Sequence, residues 1–152
     1  MKRALIFGNI TFIAAVLLLM LFAYAGISKV ADYQRFVAQM KLAPAPLIQN
    51  LSGTLGWLVP LIEFIIIGLL AKDKLRKIGL YASFILLLSF QVYISVMLLS
   101  GLELPCTCGG LISKLQWKEH LVFNAVFMLI AMFPFIFKWI NAKYYKYELT
   151  IL

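Results

Sequence analysis

The sequence predicts an all-α integral membrane protein, a bundle of four transmembrane helices with both termini on the cytoplasmic side, and three observations lead there. Hydrophobic residues make up 64% of the 152 and charged residues only 13%, against roughly 45–50% apolar in an ordinary soluble domain. The mean hydropathy of +0.97 agrees. The apolar residues gather in four runs, each of the length a helix needs to cross about 30 Å of hydrocarbon, roughly 17–25 residues. The basic residues collect in short segments between these runs, which is the pattern of a topology signal.

The runs extend from about Phe7 to Ile27, Leu55 to Ala71, Ile78 to Ser100 and His120 to Ile140, and by length residues 1–152 form one domain. Helix is favoured over strand because the runs are long and continuous, and an open sheet in lipid leaves backbone groups unpaired. The second run is the shortest and holds Pro60 and Glu63, so of the four it has the weakest claim to be a simple span. The first, with Lys2 and Arg3 before it and Ala23-Tyr24-Ala25 within it, imitates a secretory signal. At about twenty residues it exceeds the roughly 7–15 of a signal's apolar region, which favours a retained span.

The amino terminus with Lys2 and Arg3, the loop Lys72 to Lys77, and the tail with Lys138, Lys143 and Lys146 fall on one side. They hold nine of the fourteen basic residues, so that side is expected to be cytoplasmic, in the inner (plasma) membrane. The longer loops, Lys29 to Thr54 and Gly101 to Glu119, fall outside. Trp57, Trp117 and Trp139 lie near span ends, as an aromatic belt requires. The net charge of +8 suggests nucleic acid in a soluble chain. Divided among interhelical segments it makes no phosphate-binding stripe, so the expected partner is the lipid bilayer, with no nucleic acid. The tail Lys143-Tyr144-Tyr145-Lys146-Tyr147 reads as an anchor to anionic lipid. Between Ser28 and Met40 apolar Val30, Tyr33, Phe36, Val37 and Met40 alternate with polar residues, which predicts an amphipathic helix at the outer interface. Ala43-Pro44-Ala45-Pro46 stops it.

The two cysteines, Cys106 and Cys108, share an outer loop, Leu104-Pro105-Cys106-Thr107-Cys108-Gly109-Gly110. Outside the cytoplasm a disulfide can form and persist. A bridge between residues two apart closes a very small ring, and strained disulfides tend to be labile and oxidising. Such a bond suits exchange better than support of a fold, and the two glycines leave the sulfurs accessible. Two alternatives stay open: an inert turn, or a Cu(I) site with His120 as third ligand.

Glu63 is the one acidic residue well inside a span, about eight residues or roughly 12 Å from its outer end, and an ionisable group in hydrocarbon is a candidate functional residue. Gln91 lies at similar depth, His120 and Asn124 share a face of the fourth span, and Lys29 closes the first span from the same side. These five residues are expected to cluster beneath the cysteine loop. In one reading Glu63 or His120 exchanges protons with a nearby thiol. In the other Lys29 and Glu63 form a buried ion pair, while Gln91 and Asn124 bond neighbouring helices.

Gly26-Ile27-Ser28-Lys29-Val30-Ala31-Asp32 followed by Phe36, then Glu63, then Pro105-Cys106-Thr107-Cys108-Gly109-Gly110 resemble the methylamine utilisation MauE family within the DoxX-like membrane proteins. The likeness covers nearly the whole chain and is most specific in the cysteine-glycine loop. There the family usually has an aromatic residue and then glycine after the second cysteine, where this chain has Gly109-Gly110. The resemblance implies a four-helix membrane protein of thiol redox, working with a thioredoxin-like partner in the maturation of exported disulfide proteins. It makes Cys106 and Cys108 the redox pair and Lys29 and Glu63 the matching polar positions.

The expected activity is therefore that of a thiol-disulfide oxidoreductase whose outward pair exchanges electrons with a thioredoxin-like protein or an exported thiol client. The second cysteine pair of quinone-coupled disulfide generators is absent. A quinone among the aromatic residues of the outer rim is the cofactor left open, and a metal is the less favoured one. The competing classes are a Cu(I)-handling or assembly protein, and a small transporter with Glu63 on its pathway, for which four short helices leave little room without a homo-oligomer.

Overall fold

The computed structural model describes the backbone of residues 2–100 and 117–151 and the side chains of residues 6–100 and 119–141. Six helices occupy this backbone: α1 Lys2–Ala31, α2 Tyr33–Lys41, α3 Pro46–Asn50, α4 Ser52–Ala71, α5 Arg76–Leu99 and α6 Trp117–Ile151. Four of them are long and apolar enough to cross a membrane, over Ile6–Ala31, Ser52–Ala71, Arg76–Leu99 and Glu119–Asn141. They differ from the predicted runs by a few residues at the ends, because hydropathy locates a span while hydrogen bonding carries the helix into its polar flanks.

The spans form a ring in which α1 packs on α4 and α6, and α5 packs on the same two, with α1 and α5 also meeting across it. The Arg76 guanidinium at the start of α5 lies 5.2 Å from the Phe12 ring near the start of α1. Tyr81 of α5 lies 4.2 Å from Phe135 in the second half of α6. Successive spans therefore run in opposite directions. Leu18 and Phe22 of α1, Ile66 and Leu70 of α4, Leu80 and Leu87 of α5 and Ala131 of α6 make the shared core. A cleavage after Ala25 would remove the α1 part of that core.

Outside the core the usual partition is inverted. Phe12, Ile13, Leu17 and Met20 on α1, and Ile85, Leu88 and Val92 on α5, are exposed, an apolar surface far beyond the few hundred Å² that a soluble monomer tolerates. Its solvent is lipid, which cannot bond to polar groups. Accordingly the hydroxyls within the spans bond back to their own helix: Ser83 to Gly79 O at 2.7 Å, Ser89 to Ile85 O at 2.9 Å and Ser95 to Gln91 O at 2.7 Å. Trp57 and Trp139 are exposed near span ends; the side chains of Trp117 and of the Lys143 to Tyr147 tail lie outside the described ones.

Two segments carry detail that the runs alone do not give. α4 runs unbroken through Pro60; the ring costs the bond to Gly56 O, and the rest of the helix keeps its course among buried neighbours. The stretch after α1 turns back onto the bundle. Asp32, at φ −108° and ψ 40°, separates α1 from α2. The α2 helix then packs on α4, where the Tyr33 hydroxyl donates to Gly53 O at 3.1 Å and the Tyr33 ring lies 5.0 Å from that of Trp57. The crossing is tight, since a Cβ at Gly56 would sit 2.6 Å from Val37 Cγ2 and 2.8 Å from Tyr33 Cε2, and these side chains would have to shift. Ala45 is extended (φ −113°, ψ 111°) ahead of Pro46, which takes the first position of α3. At the opposite end Arg76 pairs with Asp73 and donates to Leu70 O at 3.5 Å, closing the tight α4–α5 turn.

The α4 and α5 helices approach closely at Gly79, where a Cβ would lie 2.9 Å from Leu70 Cδ2 and 3.0 Å from the Leu70 backbone nitrogen. Backbone cannot yield as a side-chain tip can. Gly79→Ala is expected to destabilise the bundle by about 1–3 kcal/mol, seen as a lower thermal unfolding midpoint in detergent; Gly68→Ala, where nothing lies within 4 Å, should leave it unchanged.

Candidate functional site

Lys29 occupies the last turn of α1, where a cation complements the helix carbonyl end. Its ammonium donates to Glu63 Oε1 at 2.6 Å, and the side chains are 6% and 0% exposed. It also lies 3.4 Å from Ala25 O, 5.9 Å from the Phe36 ring of α2 and 5.4 Å from the Phe90 ring of α5. The ion pair thus joins α1 to α4 inside an aromatic wall supplied by two other helices. Since α4 starts at Ser52, Glu63 is eleven residues in (63 − 52), roughly 16 Å deep. Gly26 packs against it, a Cβ there lying 3.4 Å from Glu63 Oε2.

Beside the pair is a cavity of about 190 Å³. Most of its wall is apolar, with Phe22, Phe90, Phe123 and Tyr93 among the contributors, while Lys29, Glu63, His120 and Asn124 supply polar groups. His120 and Asn124, four apart on the first turns of α6, are 7% and 4% exposed. Among the described residues His120 Nδ1 and Asn124 Nδ2 are buried without a hydrogen-bond partner.

Four of the five expected polar residues therefore meet. Gln91 is not among those lining the cavity; it is half-buried with Oε1 unpartnered among the described residues. Cys106 and Cys108 lie outside the described residues. The helices that carry their loop, α5 ending at Leu99 and α6 starting at Trp117, contribute Tyr93, Ile94 and His120 to the cavity, so both anchors belong to this end of the bundle. Among the described residues no group of three or more His, Cys, Asp or Glu stands ready for a metal.

The family model described as methylamine utilisation protein MauE matches residues 7–137. The chain belongs to the MauE family. No match was found among curated proteins or among solved structures. The stretch shared with the MauE family includes Lys29, Glu63, His120, Asn124 and both cysteines, and its four apolar helices make this a multi-pass membrane protein.

Sequence reasoning did not find the MauE chain's aromatic wall. Phe90 and Tyr93 sit in a continuous apolar run where no pattern distinguishes them from lipid-facing neighbours. Phe36 and Met40 carried a signal, the apolar face of α2, yet its target was invisible.

Removing one partner of a buried ion pair strands the other charge, which costs about 3–5 kcal/mol, whereas an apolar replacement of both is often near neutral. Glu63→Leu is therefore expected to unfold at markedly lower temperature, and the double variant Lys29→Met with Glu63→Leu to recover most of the loss. Unfolding of the three proteins, followed by circular dichroism in the same detergent, measures it.

Proposed function

We propose that this chain is a membrane thiol-disulfide oxidoreductase of the inner membrane. Cys106 and Cys108 face outward and exchange electrons with a thioredoxin-like protein or an exported thiol client, so supporting the maturation of disulfide-containing exported proteins. The observation that carries this is the sequence Cys106-Thr107-Cys108, an adjacent dithiol on the side with fewer basic residues, in the loop between α5 and α6, two helices that line the cavity holding His120. Family membership is consistent with it.

The chemistry is thiol exchange. A thiolate of the reduced pair attacks a sulfur of the partner's disulfide, that bond breaks, and one partner sulfur leaves as a thiolate. The second cysteine, once deprotonated, attacks the mixed disulfide. The chain then holds the Cys106–Cys108 disulfide and the partner leaves as a dithiol with two electrons. The reverse sequence oxidises a reduced client. Each attack needs a proton removed, and each released thiolate can take one up. His120, buried near the start of α6 with a free ring nitrogen among the described residues, is the group assigned to this proton exchange. Lys29 and Glu63 act by positioning, holding the helices that carry the cavity.

Thiol trapping in intact cells tests it. Acid quenching and alkylation of wild type should reveal an oxidised fraction of the pair, and one of Cys106→Ser or Cys108→Ser should accumulate a reductant-sensitive adduct with a second protein. A pair that never oxidises, with no adduct in either variant, overturns the proposal. So does copper that copurifies with wild type and is lost in both variants, which would favour the Cu(I) reading.

A further inference from the structure

The cavity beside Lys29 and Glu63 has features that thiol exchange does not use, namely its opening at Ser89, its aromatic walls and Asn124, besides His120, which both roles would share. It reaches Ser89, which is exposed on the outer surface of α5 in the middle of a membrane span. Its mouth therefore opens sideways into lipid. The Ser89 hydroxyl is already committed to Ile85 O, so the mouth offers no polar anchor. Inside, the walls are rings and aliphatic chains, and Asn124 Nδ2 and His120 Nδ1 are buried and unpartnered among the described residues.

Each property narrows the occupant. Entry from the bilayer requires a lipid-soluble molecule. The volume of about 190 Å³ suits one substituted six-membered ring, since a cavity of roughly 150 Å³ holds benzene. The Lys29 ammonium is already matched by Glu63 at 2.6 Å, so the site favours a neutral ligand over a fatty acid carboxylate. A buried amide N–H left without an acceptor costs free energy, so a plain hydrocarbon tail wastes the site, whereas a ring bearing carbonyl oxygens satisfies Asn124. His120 can meet a second oxygen with its own ring N–H.

The geometry points to a binding site for a lipid quinone, with its headgroup between Phe90 and Phe123, a carbonyl oxygen accepting from Asn124 Nδ2, and its tail leaving past Ser89. Binding of this kind does not depend on the thiol pair.

The test uses the full chain in lipid nanodiscs and decylubiquinone as probe, with decylbenzene, which has the ring and tail but no carbonyl, as competitor. Wild type is expected to bind decylubiquinone saturably and to resist displacement by decylbenzene. Asn124→Leu, checked for folding by its thermal melt, should weaken binding about five- to tenfold, the share of one hydrogen bond. Ser89→Phe fills the mouth from an exposed position that the fold does not use, and should abolish saturable binding. The double variant Cys106→Ser, Cys108→Ser should bind as wild type does, so a failure of the thiol proposal leaves this result standing and the reverse also holds. Absence of saturable binding to wild type overturns the inference. So does binding that Asn124→Leu leaves intact and decylbenzene displaces, which would mark a slot for lipid tails.

Discussion

Two opposite charges inside a hydrocarbon layer leave a chain few arrangements, and in this one Lys29 and Glu63 meet at 2.6 Å with almost no exposure. Each would be costly alone in lipid, and neither can be moved without stranding the other. The pair therefore fixes the height of α1 against α4. It also bears on the local sequence: Gly26 packs against the carboxylate, and Phe36 and Phe90 stand within cation–π range of the ammonium. Phe36 reaches that position only because Asp32 interrupts the helix and lets α2 fold back over α4. The cavity lies where these helices cannot close completely around a charged pair.

With lipid on the outside, burial of apolar surface contributes little to holding the helices together; close packing does more. That shifts weight to small residues at contacts, and Gly79 against Leu70 and Gly56 against Val37 and Tyr33 are places where a Cβ would come within 3.0 Å of a neighbour. It also explains why the hydroxyls of Ser83, Ser89 and Ser95 turn onto their own helices. Most polar groups in a span are satisfied locally or paired across helices. His120 and Asn124 instead stand beside the cavity, each with a buried nitrogen unpartnered among the described residues.

The four spans were legible because lipid demands length and hydropathy, both written in consecutive residues. Depth along each span is legible too, and it alone groups Lys29, Glu63, His120 and Asn124. Rotation about the helix axis was not, since it depends on neighbours, and Gln91 illustrates this: its height suits the cluster, yet it does not line the cavity. The fate of α2 was hidden for a related reason. An amphipathic stretch has the same pattern whether its apolar face meets lipid or protein, and only the gap at Gly56 decides for protein. The sidedness of the cysteine loop rests on basic residues in the flanks, and Cys106 and Cys108 lie outside the described residues.

A dithiol in the loop between α5 and α6, the two helices that help to enclose the cavity, makes sense as one functional unit with it if His120 serves the sulfurs. Lys29 and Glu63 then supply the frame, and the aromatic wall keeps water from the pair. The most direct measurement is the rate at which Cys106 and Cys108, in the reduced protein, exchange with a small aromatic disulfide in wild type and in His120→Gln, with melting temperature checked in both. A rate several-fold lower in the variant at equal stability is the expected result. Equal rates would show that the thiols work without the cavity, and would separate the two halves of the site.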